Sequence, residues 1–241
     1  MSFGGVDALA EVVKQHTGNE GLLLSATKVL KRTARNKTLV SAVVSCGALQ
    51  TCLGSLAFAD GEMEQGASEC TELLDIMATN ASDCMIGSGI VESVFKVMTS
   101  YKGDDSVLAS CITALERVSR KPEGMNEIVQ SNGIYTVIST LAADTTEKGD
   151  DANPEHLAAS FSLLKRYTAT AGEQAVEYIR QCDGVNAVIQ ALENIEIGTD
   201  DKILRVGGRL LTSIAGNDLA QALDQLKGMF EYLLLLAIES P

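Results

Sequence analysis

Few residues in this chain have the type and spacing that catalysis or metal binding requires. The only two histidines, His16 and His156, are far apart in sequence, and neither has metal-binding neighbours beside it. Cys46 and Cys52 have five residues between them, which is not a zinc-ligand spacing, and none of the six cysteines forms a C-x-x-C pair. We therefore predict histidines at the surface, cysteines mostly in the core, and neither a metal nor a cofactor.

The glycine-containing segments also lack the features of active sites. Gly87-Ser88-Gly89 is not followed by the glycine and lysine of a phosphate-binding loop, and no G-x-S-x-G nucleophile motif occurs. Gly87-Ser88-Gly89 is predicted to be a hinge between helices. Gly207 and Gly208 lie inside a predicted helix, where each glycine costs about 1 kcal/mol relative to alanine. Either a close approach of two helices or an opening for a ligand backbone would explain this cost, and the sequence favours close packing.

One long polar segment, Asp144 to Glu155, interrupts the helical pattern. Its acidic residues do not match the ligand spacing of a calcium loop, so a lengthened loop is predicted. Because no nucleophile, acid–base pair or metal-ligand set stands out, we do not expect an enzyme.

The composition indicates a globular protein with an acidic surface. The 241 residues are 46% hydrophobic and carry a formal net charge of −13, a charge that disfavours the polyanions nucleic acid and anionic lipid as partners. No apolar run approaches the roughly 18 residues that span a bilayer, and no signal peptide is recognisable at the start. These features, together with cysteines that are mostly expected in the core, predict a reducing, cytoplasmic environment.

An internal repeat organises the chain. A glycine followed by a short amphipathic segment recurs about every 42 to 51 residues, close to the period of α-helical repeat proteins. The lengthened segment at Asp144 to Glu155 accounts for the longest interval. The recurring glycines are Gly5, Gly47, Gly89, Gly133, Gly184 and Gly228.

Each period is predicted to contain three helices. A short first helix precedes the glycine, the glycine turns the chain by adopting a positive φ, and a second and a longer third helix follow, as in Asp104 to Lys121. This unit resembles the armadillo repeat more than the two-helix HEAT repeat. The resemblance implies an all-α, right-handed superhelix forming one domain over 1–241. Whole repeats are predicted at 36–80, 81–123, 124–172 and 173–217, with partial repeats at 4–35 and 218–241.

The resemblance also implies a concave groove, lined by the third helices, that receives a partner segment. Armadillo proteins often carry a row of Asn and a row of Trp there, and this chain has neither row. The positions equivalent to Asn are Arg32, Asp75, Arg117, Arg166 and Ser213, and those one turn earlier are Lys28, Thr71, Thr113, Ser162 and Arg209. The basic members could form a stripe that binds carboxylates. Alternatively, they could be paired internally or complement the helix dipoles.

These features predict a non-catalytic scaffold that binds a protein segment of acidic or mixed charge, with a basic residue of the partner opposite Asp75. The alternatives are a regulator that embraces a chaperone and a structural segment of a larger assembly. The apolar helix predicted near the end, MFEYLLLLAIESP from Met229, would pack on another chain or on a continuation of this one.

Overall fold

The computed structural model describes residues 4–36, 39–59, 61–148, 153–195 and 201–216. Within these ranges all regular secondary structure is helical and no strand occurs, so the predicted all-α class is confirmed. The thirteen helices of the described ranges are α1 Gly4–Gln15, α2 Glu20–Ala34, α3 Val40–Ser45, α4 Ala48–Ala59, α5 Glu64–Met85, α6 Ile90–Ser100, α7 Asp105–Val118, α8 Pro122–Gln130, α9 Gly133–Lys148, α10 Pro154–Ala171, α11 Glu173–Gln181, α12 Gly184–Glu193 and α13 Asp201–Ala215.

The helices belong to two compact units. Unit 1 spans Met1–Ser131 and contains α1 to α8, and unit 2 spans Asn132–Pro241 and contains α9 to α13. The division of the chain into four whole and two partial repeats stays a prediction.

Unit 1 is built from two rows of helices. The second helices α1, α4 and α6 pack side by side, and so do the third helices α2, α5 and α7. The apolar faces of the two rows meet in the core, where burying leucine and methionine side chains stabilises the unit. Fully buried members of this core include Leu23, Leu30, Leu49, Leu53, Leu56, Leu73, Leu74, Met77 and Met98.

The end of α5 marks the boundary between two successive periods. Ala81, inside the continuous helix Glu64–Met85, has the non-helical angles φ −153° and ψ 39°. The third helix of one period and the short first helix of the next therefore follow each other across a kink. Gly87-Ser88-Gly89 then connects to α6, with φ of +70° at Gly87 and +78° at Gly89. This confirms the predicted hinge.

A residue with positive φ precedes four of the second helices. Gly47, with φ +72°, precedes α4, and Gly89 precedes α6, as the repeat predicts. At α9 and α12, however, the positive φ belongs to Asn132 and Asp183, with φ of +56° and +60°. The prediction that the recurring glycine always makes the turn is therefore wrong at these two sites. Asn and Asp can replace glycine there because they tolerate the left-handed region better than other side chains.

The glycine at the start of α12 is required for a different reason. A Cβ at Gly184 would lie 2.5 Å from the Ile179 Cγ2 and 2.8 Å from the Ile179 carbonyl oxygen. The first and second helices of this period thus approach too closely for a side chain. The recurring glycine therefore allows a positive φ in the turn at Gly47 and Gly89, whereas at Gly184 it allows two helices to pack closely.

In unit 2, α10 packs on α13 and α9 packs on α12. Gly207 lies where α13 crosses the core, and a Cβ there would lie 2.7 Å from both Leu192 Cδ2 and Phe161 Cε2. The interpretation of Gly207 as a residue of close packing is confirmed. Arg180 of α11 donates from Nε to the Ile214 carbonyl oxygen at 2.7 Å and so caps the last turn of α13.

Two sequence-based expectations need correction. The predicted loop from Asp144 begins as helix, because α9 continues to Lys148, and α10 starts at Pro154. His156, expected at the surface, is fully buried. Asn153 caps α10 by accepting from the backbone N–H groups of Glu155 and His156. The His156 side chain lies on the same helix face as the buried Ser160, four residues later. The apolar segment from Met229 lies outside the described residues.

Candidate functional site

The third helix α2 and its C-cap residue carry four cations on neighbouring positions. Its start is fixed by Asn19, whose Oδ1 accepts from the Leu22 backbone N–H at 3.0 Å, and Glu20 follows in the first turn. Basic residues in its last turns suit the negative end of the helix dipole. Residues three and four apart share a helix face, so these cations form one continuous surface along α2. We call Lys28, Lys31, Arg32 and Arg35 the α2 cation face.

Two of the four residues of the α2 cation face form ion pairs with acidic residues of the neighbouring third helix, α5. The Lys31 ammonium lies 2.6 Å from the Glu69 Oε2 and also bonds the Glu72 carboxylate. Glu72 reaches Arg35 as well, at 3.6 Å. Burial lowers the pKa of Lys31, but the hydrogen bonds and charges of the two carboxylates outweigh that effect, and the pKa lies above its usual value.

The other half of the α2 cation face is open. Lys28 and Arg32 are both exposed, and within the described ranges no hydrogen bond or ion pair joins either side chain. Both residues were predicted to line the groove, and their cationic groups are accessible to a partner.

In the middle of the row, the predicted site residues Asp75 and Arg117 bind each other. The Arg117 Nη1 donates to the Asp75 carbonyl oxygen at 3.3 Å and lies 3.8 Å from its Oδ1. The Ser110 hydroxyl donates to the Asp75 Oδ2 at 3.3 Å. Of the two interpretations of the basic stripe, internal pairing is therefore the one observed at Arg117. The charge of Asp75 is already matched from within unit 1.

Thr71 does not line an accessible surface. Its side chain is buried, and its hydroxyl donates to the carbonyl oxygens of Ala67 and Ser68 in its own helix, at 2.9 and 3.0 Å. A threonine one turn from the carbonyl it bonds is a common internal arrangement in helices. Thr113, the equivalent residue on α7, is half-buried.

The remaining predicted residues belong to unit 2. Ser162 and Arg166 are half-buried on α10, whereas Arg209 and Ser213 are exposed on α13. The Ser213 hydroxyl donates to the Arg209 carbonyl oxygen at 2.8 Å, an intrahelical bond that leaves the Arg209 guanidinium exposed.

Lys31 and its pairing with Glu69 and Glu72 were not predicted from the sequence. The available signal was the contrast between α2, which is basic at Lys28, Lys31, Arg32 and Arg35, and α5, which is acidic at Glu64, Glu69, Glu72 and Asp75. Neighbouring helices with opposite charge favour ion pairs between them. The alignment with armadillo repeats assigned only Lys28 and Arg32 of this helix to the groove. Lys31, which is next to Arg32 in sequence, was therefore not considered.

The thiols divide by burial. Cys52, Cys70 and Cys111 are buried in the core of unit 1, as predicted, whereas Cys84 is exposed. Burial raises the pKa of the Cys111 thiol. Cys84 shares with Gln50 and Ser41 a shallow pocket of about 370 Å³ beside the turns at Gly47 and Gly87.

The described residues contain no group of three or more His, Cys, Asp and Glu side chains that could hold a metal ion. In the part of the chain that the structure describes, no helix combines the length and apolar character needed to cross a bilayer.

This chain is similar to known proteins in three-dimensional structure but not detectably in sequence. No protein-family model matches the sequence, and no curated protein matches it. A designed armadillo repeat protein in complex with the peptide (KR)4 is similar, with a TM-score of 0.65 and 12% sequence identity over 97% of this chain and 98% of that one. The chain has the fold of an armadillo repeat protein.

Two engineered proteins from a structural genomics consortium are similar as well. The first has a TM-score of 0.66 and 19% sequence identity, and the alignment covers 100% of this chain and 91% of that protein. The other has a TM-score of 0.66 at 18% identity over 99% of this chain, which spans only 59% of that protein. The α2 cation face and the Asp75–Arg117 pair both lie on helices that correspond to the third helices of armadillo repeats, where the resemblance predicts a groove.

Proposed function

We propose that this protein is a non-catalytic scaffold that binds a segment of a partner protein across the third helices α2, α5 and α7 of unit 1. One observation carries this proposal. The three helices pack as a row, and ion pairs join each to the next, Lys31 to Glu69 and Arg117 to Asp75. Side chains held in this way form a preorganised polar surface, which lowers the entropy lost when a partner binds.

One further fact supports the proposal. The designed armadillo repeat protein that this chain resembles is in complex with a peptide. The alternatives of a chaperone regulator and a structural segment have no specific observation in their favour.

A peptide-display library screened against the whole chain tests the proposal. Ser68 is exposed on α5, one turn before Glu72 and on the same side of that helix, so Ser68→Trp places a bulky ring in the row. The matched control is Thr99→Trp, at an exposed position of the second helix α6. We expect an enriched peptide to lose about tenfold or more in affinity with Ser68→Trp, measured by fluorescence anisotropy, because a central steric block removes well-packed contacts.

The control variant should bind as the unmodified chain does. A library that yields no binder, or a binder that Thr99→Trp weakens while Ser68→Trp does not, would contradict the proposal. A circular dichroism spectrum of each variant confirms that the helices are intact.

A further inference from the structure

The charges of unit 1 are distributed unevenly along its row of third helices. Asp75 on α5 is matched by Arg117 and by the Ser110 hydroxyl. A partner therefore does not need a basic residue opposite α5, in contrast to the expectation from the sequence. Among the cations of the row in the described residues, Lys28 and Arg32 at the α2 end are exposed and carry no ion pair.

Lys28 and Arg32 are four residues apart, so their cationic groups stand one helical turn from each other on the same face of α2. Guanidinium and ammonium groups both bond carboxylates, and the guanidinium does so in bidentate geometry. The molecule as a whole carries a net charge of −13, so an acidic ligand is repelled from most of the surface and attracted here.

Glu72 already presents a carboxylate to this face. It bonds Lys31 and lies 3.6 Å from Arg35, yet about half of its side chain, 52%, remains exposed. Lys31 is held by Glu69 as well, whereas Arg35 is paired with Glu72 alone in the described residues. The Glu72 carboxylate thus occupies a place that a carboxylate of a partner could take.

We propose that the α2 cation face binds an acidic segment of a partner protein, and that Glu72 competes with that segment from within the chain. This inference rests on the proposed function, since it assigns the chemistry of the segment bound by the row. Lys28 and Arg32 make the first contacts with the partner. Arg35, and in part Lys31, become available when a carboxylate of the partner displaces Glu72.

The test uses the whole chain and a fluorescein-labelled peptide of alternating glutamate and serine, with a matched peptide in which glutamine replaces glutamate. We expect the acidic peptide to bind and the glutamine peptide to bind at least about tenfold more weakly. The double substitution Lys28→Glu with Arg32→Glu should weaken the acidic peptide by about tenfold or more, because two attractive charges become repulsive. Affinity should also fall as salt is raised.

The sign of the effect at Glu72 distinguishes competition from a mere charged patch. Glu72→Gln keeps the size of the side chain and removes its charge, so it should strengthen binding of the acidic peptide by about threefold. The control, Glu92→Gln on the second helix α6, also removes one exposed acid that pairs with a lysine, Lys96. It should leave the affinity unchanged, although both variants change the net charge equally.

Three results would overturn the inference: equal binding of the two peptides, no loss with the double substitution, or the same affinity for Glu72→Gln and Glu92→Gln. Its failure is distinct from failure of the proposed function. If the acidic peptide does not bind but a library peptide still loses affinity with Ser68→Trp, the scaffold function stands and the acidic partner is wrong. If Ser68→Trp leaves the library peptide unaffected, the scaffold function itself is wrong.

Discussion

The contact at Gly124 gives a sharp test of how tightly successive periods are joined in unit 1. Gly124 is buried in the first turn of α8, and a Cβ there would lie 2.2 Å from the Val118 carbonyl oxygen and 2.8 Å from the Val118 Cγ1. The obstructing carbonyl belongs to the last residue of α7 and also accepts from the Lys121 N–H at 3.3 Å. A backbone atom in this position cannot move aside as the end of a flexible side chain can.

The expected magnitude for Gly124→Ala follows from two opposing effects. Forcing an extra methyl group into a packed site costs about 1–3 kcal/mol, and contact with backbone places this case at the upper end. Replacing glycine in a helix by alanine returns at most about 1 kcal/mol. The free energy of unfolding should therefore fall by about 2 kcal/mol.

Gly54→Ala is the matched control. Gly54 lies in the middle of α4 in the same unit and is exposed, and a Cβ there would have no atom within 4 Å apart from its own helix neighbours. That substitution should raise the free energy of unfolding by about 0.5–1 kcal/mol, because only the gain in helix propensity remains. Urea denaturation followed by circular dichroism measures both. Equal stability of the two variants would refute the steric reasoning.

Four other predictions concern separate parts of the molecule. Gly207→Ala should lower the free energy of unfolding by about 1–3 kcal/mol in urea denaturation, because its Cβ would overlap two core side chains of unit 2. Arg180→Met should destabilise the protein by about 1–2 kcal/mol and speed hydrogen exchange in the last turn of α13, which loses its capping donor. Lys31 has a raised pKa, so its contribution to stability is full below the ordinary lysine pKa of about 10.4 and is lost as pH rises through the higher folded value. Lys31→Met should therefore reduce the alkaline loss of stability, measured by urea denaturation at several pH values. Maleimide should label the exposed Cys84 in the native protein, whereas Cys111, buried and with a raised pKa, should be labelled only after unfolding, as peptide mass spectrometry would show.

Each of these has a result that contradicts it. The close packing at Gly207 is wrong if its alanine variant is as stable as the original chain, and the cap at Arg180 is unimportant if hydrogen exchange in α13 does not change. An unaltered alkaline profile for Lys31→Met would remove the role assigned to its two carboxylates. Labelling of Cys111 as fast as Cys84 would mean that the core of unit 1 opens readily.

The helices could be predicted because their signal is local. In α7, Val107, Leu108, Cys111, Leu115 and Val118 recur at helical spacing, and the helix Asp105–Val118 lies within the predicted Asp104 to Lys121. The burial of these side chains follows from the same pattern. The close packing at Gly207 was also accessible, since a glycine that costs stability inside a helix needs a compensating contact.

The rest depended on residues of other helices that are close in space but lie outside the local sequence pattern. The pattern did not separate the two uses of the recurring glycine, because Asn132-Gly133 and Asp183-Gly184 offer two adjacent residues that both tolerate a positive φ. Only the position of Ile179 shows why Gly184 must be glycine.

The candidate site was predicted less completely than the helices. Lys28 and Arg32 were located on an accessible face, but the burial of Thr71 depends on how α5 sits against its neighbours. The partners of Lys31 and Arg117 depend on the register between adjacent third helices, which no single helix specifies.

The alternation of charge along the third helices of unit 1 has a consequence for how such a chain can change. Lys31 of α2 bonds Glu69 and Glu72 of α5, and Asp75 of α5 bonds Arg117 of α7, so each helix is suited to the particular neighbours it has. Duplicating the segment that contains α5 would set carboxylates against carboxylates, and deleting it would set cations against cations. We therefore expect recombination that adds or removes the α5 segment to be tolerated best where the new neighbours carry opposite charges at these positions.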